Sequence, residues 1–223
     1  MSAGQFNIPI VFRGPSAAAG QLGAQHSQSF ENWMANVPGL KVVSVSNPYD
    51  AKGLLKSAIR DDDPVCFFES EVMYGEMGEV PEEEYLIPIG KAIVKREGTD
   101  VTIVSYNKMM KVAYAAADEL AKEGISAEVI DLRTIRPLDY PAIVESIKKT
   151  NRLVILEEAW PFGSVTAELS FQVQKHAFDF LDAPIKRVTT LDTSIAYAPT
   201  LVEAFMPNPE KVIRAAKEAL YLV

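Results

Sequence analysis

Short apolar runs alternate with longer segments of helical periodicity along the whole chain. Ile8–Phe12, Leu40–Val45 and Val65–Phe68 are continuous enough in apolar character to be buried strands. Ala92–Val94, Val101–Tyr106, Ala127–Leu132, Leu153–Glu157 and Lys186–Leu191 read the same way. Between the early strands, Ala51, Leu54, Leu55, Ala58 and Ile59 recur at helical spacing behind a Ser46 or Asn47 cap, with Pro48 in the first position. Asp61-Asp62-Asp63-Pro64 stops that helix. Further helices are predicted over Met109–Lys122, with Gly124 just past its end, over Tyr140–Lys149 behind Asp139, and over Ser164–His176. A last helix opens at Asn208-Pro209 and keeps Val212, Ile213, Ala216 and Leu220 on one face. Such alternation implies an α/β protein with a mostly parallel sheet covered by helices.

Composition changes between residues 69 and 87, where Glu69, Glu71, Glu76, Glu79 and Glu82–Glu84 gather among glycines. This stretch reads as an acidic, solvated connector, and it divides the chain into 1–84 and 85–223. The second part is long enough to form a complete three-layer αβα domain. The first opens on a strand so abruptly that the chain is expected to begin inside a domain, and its N-terminus has no signal-peptide pattern.

At 48% hydrophobic and 23% charged residues the chain is neither disordered nor a coiled coil. A net charge of −8 disfavours nucleic acid and anionic membrane as partners. One cysteine and two histidines leave no disulfide frame and no Cys/His zinc cluster. No apolar run reaches transmembrane length, and no dinucleotide fingerprint, Walker loop, zincin motif or nucleophile elbow is present. Cys66, among apolar strand residues, is expected to fill core space.

Three groups remain as candidates for chemistry. His26 follows a glycine-rich strand-to-helix loop, where open parallel sheets expose ligand-binding residues; it is either a proton-transfer group or a surface histidine. His176, at a helix end, is read as a favourable charge for the dipole. Ala58, Ile59, Asp61 and Asp63 surround a helix C-terminus, where carbonyls and carboxylates suit either a hard cation or plain solvation. Arg133 and Arg136 lie past a strand and could bind an anion or a neighbouring subunit, or form salt bridges with Asp131 or Asp139.

IPIVFRGP (8–15), GAQHSQSF (23–30), PGLKVV (38–43), DAKGLLKSAIRDDDP (50–64), LRTIRPLD (132–139) and FLDAP (180–184) occur here in fixed order. Together they closely resemble the beta subunits of the thiamine diphosphate-dependent 2-oxo acid dehydrogenases, that of pyruvate dehydrogenase in particular. The resemblance implies an incomplete pyrimidine-type thiamine diphosphate-binding domain followed by a transketolase C-terminal domain. It makes His26 the histidine that faces the cofactor's reactive carbon and assists acyl transfer to a lipoyl group. It makes Ile10, Ala58, Ile59, Asp61 and Asp63 a potassium site, with Asp63 where the family commonly has Asn. Asp182 and Val223 match positions that bind the lipoyl-bearing acyltransferase core.

The same resemblance implies thiamine diphosphate with magnesium, held between an alpha subunit and the beta subunit, and a second beta subunit in the assembly. The cofactor-protonating glutamate of the family has no match here, Glu31 included, so the chain alone is expected to be a fragment inactive by itself. Pyruvate is the expected substrate, with branched-chain 2-oxo acids or acetoin, or a non-catalytic assembly role for the fragment, as alternatives. A bacterial cytoplasm is the expected compartment, the mitochondrial matrix being the other one the family occupies.

Overall fold

The structure, a computed structural model, describes residues 4–223. Its first sheet has the order β1-β3-β2-β7: β1 (Val11–Pro15), β2 (Lys41–Ser44) and β3 (Val65–Glu69) are mutually parallel, and β7 (Thr134–Arg136) joins β2 antiparallel. The second sheet has the order β4-β6-β5-β8-β9, built from β4 (Ile93–Arg96), β5 (Val101–Ser105), β6 (Ala127–Asp131), β8 (Leu153–Leu156) and β9 (Lys186–Val188). All its pairings are parallel except that of β4 with β6.

The helices sit where the apolar periodicity requires. α2 (Pro48–Ile59) starts at Asn47, whose side chain accepts from the Asp50 N–H, and it lays Leu54 and Ala58 on Val43, Val65 and Phe67. α3 (Met109–Lys122) ends as expected, with Gly124 at φ +80. α3 and α7 (Pro209–Ala219) cover one face of the second sheet. α4 (Tyr140–Thr150) and α5 (Val165–Ala177) cover the other. That second layer also takes in Val42 and Cys66 from the first sheet, so one apolar core runs through both. Cys66 is a buried free thiol that burial pushes above its ordinary value.

Several expectations change. Ile8–Phe12 is no buried strand: β1 begins at Val11 and is an edge, so it has a neighbour on one side only, and Ile8, Ile10 and Phe12 are exposed. Asp139 precedes α4 but makes no capping bond. The side-chain caps of α2, α5 and α7 sit on extended backbone, whereas Asp139 at ψ 72 does not, and its carboxylate accepts instead from the Ala92 N–H at 3.2 Å. The acidic connector is not solvated throughout. Glu69 is buried against Arg13 Nε (2.7 Å) and the Tyr74 hydroxyl (3.0 Å). Tyr85 and Ile87 press so closely on α2 that a Cβ at Gly53 would lie 2.6 Å from Ile87. Neither β7 nor α6 (Pro199–Phe205) was anticipated, and the helix expected after the His26 loop is the short α1 (Glu31–Ala35).

A buried ionic cluster ties the sheets together. Asp50 on α2 bonds the Arg133 guanidinium and Asn47 Nδ2 (2.6 Å), with Lys95 Nζ at 3.3 Å. Burial alone would raise Asp50, but these partners outweigh it and hold the carboxyl below its ordinary value. Asp131 has weaker support, a hydrogen bond from the Ser46 hydroxyl and one from the Arg133 N–H at 2.9 Å. Burial, aided by the nearby Asp50 charge, pushes it up to about 6. A folded value above the unfolded one means that the ionised form costs stability at high pH. The cost falls away as pH drops through about 6 toward the ordinary value near 4. Relative to the wild-type chain, Asp131→Asn is expected to gain stability at about pH 7.5 by up to ~3 kcal/mol. Urea titrations should show that gain falling to about a third near pH 4.5 and toward zero near pH 3; a gain independent of pH contradicts the assignment.

Candidate functional site

In open parallel sheets ligands are met at the carboxyl ends of the strands. Here the carboxyl ends of the two sheets face each other. At the end of β2, Ser44 accepts from Asn107 Nδ2 beyond β5 at 2.8 Å, and past it Ser46 reaches Asp131 at the end of β6. Past β1, the Ala18 N–H donates to Glu158 Oε1 beyond β8 at 2.8 Å. The crevice between the sheets is therefore built by both halves of the chain.

The loop from β1 to α1 lies in this crevice and carries His26. Its neck is closed by the Ala17 N–H donating to the Gln28 carbonyl at 2.8 Å, with Ala17 at φ +71. Gly23, at φ +68, turns the chain into a single 3-10 turn, Ala24–His26, which leaves the imidazole exposed. The neighbouring Ser27 hydroxyl is buried and has no hydrogen-bond partner among the described residues. Contacts with the second half hold the loop's flanks. Asn32 Nδ2 donates to the Gly163 carbonyl (3.1 Å) and Gln21 Nε2 to the Tyr197 carbonyl (3.4 Å).

Beneath the loop lie three buried acids, Glu31, which the sequence reading set aside, and Glu157 and Glu158, which it did not single out. Glu31 accepts from the Ser16 hydroxyl at 2.7 Å and the Ser44 hydroxyl at 3.0 Å, and burial raises its carboxyl above the ordinary range. Glu157 accepts from the Tyr106 hydroxyl (2.8 Å) and the Thr166 N–H (2.9 Å). Burial, and then the charge of Glu157, pushes that phenol well above its usual value. Glu158 faces Lys108 Nζ at 2.7 Å, yet burial still raises it. A signal was available for the last pair: Glu157-Glu158 directly ends an apolar strand, at the edge where polar residues face a ligand.

The other predicted residues are placed elsewhere. The segments of the cation group are brought side by side, with the Ile8 N–H donating to the Asp62 carbonyl and the Val65 N–H to the Ile10 carbonyl, both at 2.9 Å. The Asp61 carboxylate already serves Lys41 Nζ at 2.6 Å and the Asp63 N–H at 2.9 Å, and Asp63 lies 3.1 Å from the same ammonium. Of the main-chain carbonyls expected to hold a cation, that of Ile10 accepts from the Val65 N–H and that of Ala58 from the Asp61 N–H at 3.3 Å. Asp182 lies beside the C-terminus, because the Tyr221 hydroxyl donates to its carbonyl at 3.1 Å. Val223 is exposed. Arg133 pairs with Asp50 rather than with the carboxylates of Asp131 or Asp139. Arg136 donates to the Ala35 carbonyl at 2.6 Å and borders a cleft of about 790 Å³ with Asn32 and Tyr140. His176 occupies the last turn of α5, as expected.

The transketolase C-terminal domain family matches residues 90–212, and the transketolase pyrimidine binding domain family matches residues 1–76. A pyruvate dehydrogenase E1 component subunit beta-1 of Oryza sativa subsp. japonica is 52% identical over 225 residues, covering 99% of this chain and 60% of the relative. A subunit beta of the same name from Rickettsia felis is 49% identical, covering 99% and 68%. The chain belongs to the pyruvate dehydrogenase E1 component beta-subunit family. It spans about 60% of the length of its rice relative and 48% of that from Rhizobium meliloti. A solved structure described as a split-gene transketolase, an inactive beta4 tetramer, shares the fold with a TM-score of 0.79 at 24% identity, covering 99% of this chain and 73% of that one. No helix among the described residues is long and apolar enough to cross a membrane.

For a thiamine cofactor the family site has one fitting side here: an exposed imidazole next to a buried hydroxyl without a partner. No group of three or more His, Cys, Asp or Glu suited to hold a metal ion occurs among the described residues.

Proposed function

We propose that the chain acts as the beta subunit in the oxidative decarboxylation of pyruvate, with transfer of the acetyl group to the lipoyl group of an acyltransferase core. The observation that carries this reading is the exposed His26, held at the crevice of a thiamine diphosphate-dependent family fold by contacts from both halves of the chain. When bound, thiamine diphosphate supplies the carbon nucleophile for the 2-oxo acid. His26 holds or delivers a proton at an imidazole nitrogen during acetyl transfer, while Ser27 gives its free hydroxyl to whatever enters beside it. Magnesium and the diphosphate are held by an alpha subunit across the crevice. A second beta subunit completes the assembly, and Asp182 with Val223 forms the docking point for the core. We place the domain division at residues 84/85, with β7 of the second domain completing the sheet of the first, and the protein in a bacterial cytoplasm.

In the assembled complex, His26→Ala is expected to lower lipoyl acetylation by roughly 10²- to 10⁴-fold. Decarboxylation followed with an artificial electron acceptor should be affected much less. An unchanged overall rate takes His26 out of the site.

The carbonyls of Ile10, Ala58 and Ile59, with Asp61 and Asp63 and their Lys41 partner beside them, form the potassium site of this reading. Replacing potassium with choline at equal ionic strength is expected to lower the melting temperature by a few degrees, as loss of a ligand bound well above its Kd does. An identical melting curve in both salts rejects the site.

A further inference from the structure

The His26 loop carries little that would fix its own path. Between β1 and α1 it contains one 3-10 turn, and Ala17 at its neck adopts a positive φ that a residue with a Cβ holds only when its surroundings impose it. The imposing contacts fall on the next residue. The Ala18 N–H donates to Glu158 Oε1 at 2.8 Å, its carbonyl accepts from Lys108 Nζ, and its methyl packs on Ile195 and Phe205. Glu158 uses its other oxygen, Oε2, for Lys108 at 2.7 Å, with the two side chains only 6% and 10% exposed. On the far side of His26, the Ser29 hydroxyl donates to the main-chain carbonyl of the same Glu158. One residue of the second half thus grips the loop both before and after the imidazole.

A buried ion pair is a poor way to add stability, since desolvation offsets most of the attraction and an apolar pair often does as well. What this pair does that an apolar pair cannot is satisfy both main-chain groups of Ala18, the residue that follows the strained Ala17. We propose that Glu158 and Lys108 are positioning residues for His26, setting the course of its loop from the carboxyl ends of β8 and β5. The proposal rests on His26 being the reacting group of the function above.

The chain has two histidines, so His176 on α5 serves as an internal reference. With ring-labelled histidine in the full chain, Glu158→Ala is expected to shift or broaden the His26 ring signals and leave those of His176 in place. Glu158→Gln, which keeps an acceptor for the Ala18 N–H, should stay close to wild type. Lys108→Met, which removes the donor to the Ala18 carbonyl at similar side-chain length, should displace His26 too, and it decides the matter if Glu158→Ala does not fold. In the assembled complex Glu158→Ala should lower kcat for lipoyl acetylation by about 10- to 100-fold, the scale of an ångström-sized misplacement, with KM for pyruvate within about twofold. Unmoved His26 signals in a folded Glu158→Ala or Lys108→Met chain overturn the proposal whatever the activity. Displaced signals with undiminished acetylation uphold the grip on the loop and overturn the catalytic role given to His26.

Discussion

Buried carboxylates at the meeting edge of two sheets impose the constraint from which most of this architecture follows. A charged or polar group removed from water must find its partner within the protein. For Asp50 and Asp131 the decisive partner comes from the other half of the chain, in Arg133 and Ser46 respectively, and Glu158, ion-paired with Lys108 in its own half, also accepts from the Ala18 N–H of the other. Glu31 extends the pattern through Ser44, which in turn accepts from Asn107. The short antiparallel join of β7 to β2 and the apolar core shared by both sheets complete the link. The two halves therefore determine each other's geometry at the edge where a ligand would be met.

These contacts specify position more than they add stability. Ion pairs buried this deeply approach energetic neutrality against well-packed apolar substitutes, whereas loss of one partner is costly. The result is an interface with few alternative arrangements, suited to presenting a loop without secondary structure of its own. His26 depends on that, because its exposed ring is placed through the segments that flank it.

Elements with strong local patterning were legible in the amino-acid sequence. The α3 range was readable because Met109, Met110, Ala113, Ala116, Ala117 and Leu120 mark one buried stripe and Gly124 ends it. β2, β3 and the interior strands of the second sheet were legible as apolar runs for the same reason. What escaped depends on distant partners. Three-residue β7 exists because β2 has a free side. Ile8–Phe12 has the composition of a core strand, and nothing local shows that β1 pairs on one side only. Asp139 loses its capping role to the Ala92 N–H, a partner 47 residues away. Acidic residues are read as solvated by default, and Glu31, Glu69 and Glu158 are buried through partners 13 to 140 residues away. For the site itself, motif resemblance pointed to His26, while the acids and the lysine around it became visible only in three dimensions.

If the two halves are one mutually dependent unit, they must unfold together. Trp33 lies on α1 in the first half, and Trp160 in the second donates its indole N–H to the Thr193 carbonyl at 2.7 Å. Urea unfolding of the Trp33→Phe and Trp160→Phe chains, followed by the fluorescence of the remaining tryptophan, reads each half in turn. Coincident midpoints with equal m-values are expected for a single cooperative transition. A Trp33 transition completed while the Trp160 signal is still native would contradict the mutual dependence directly.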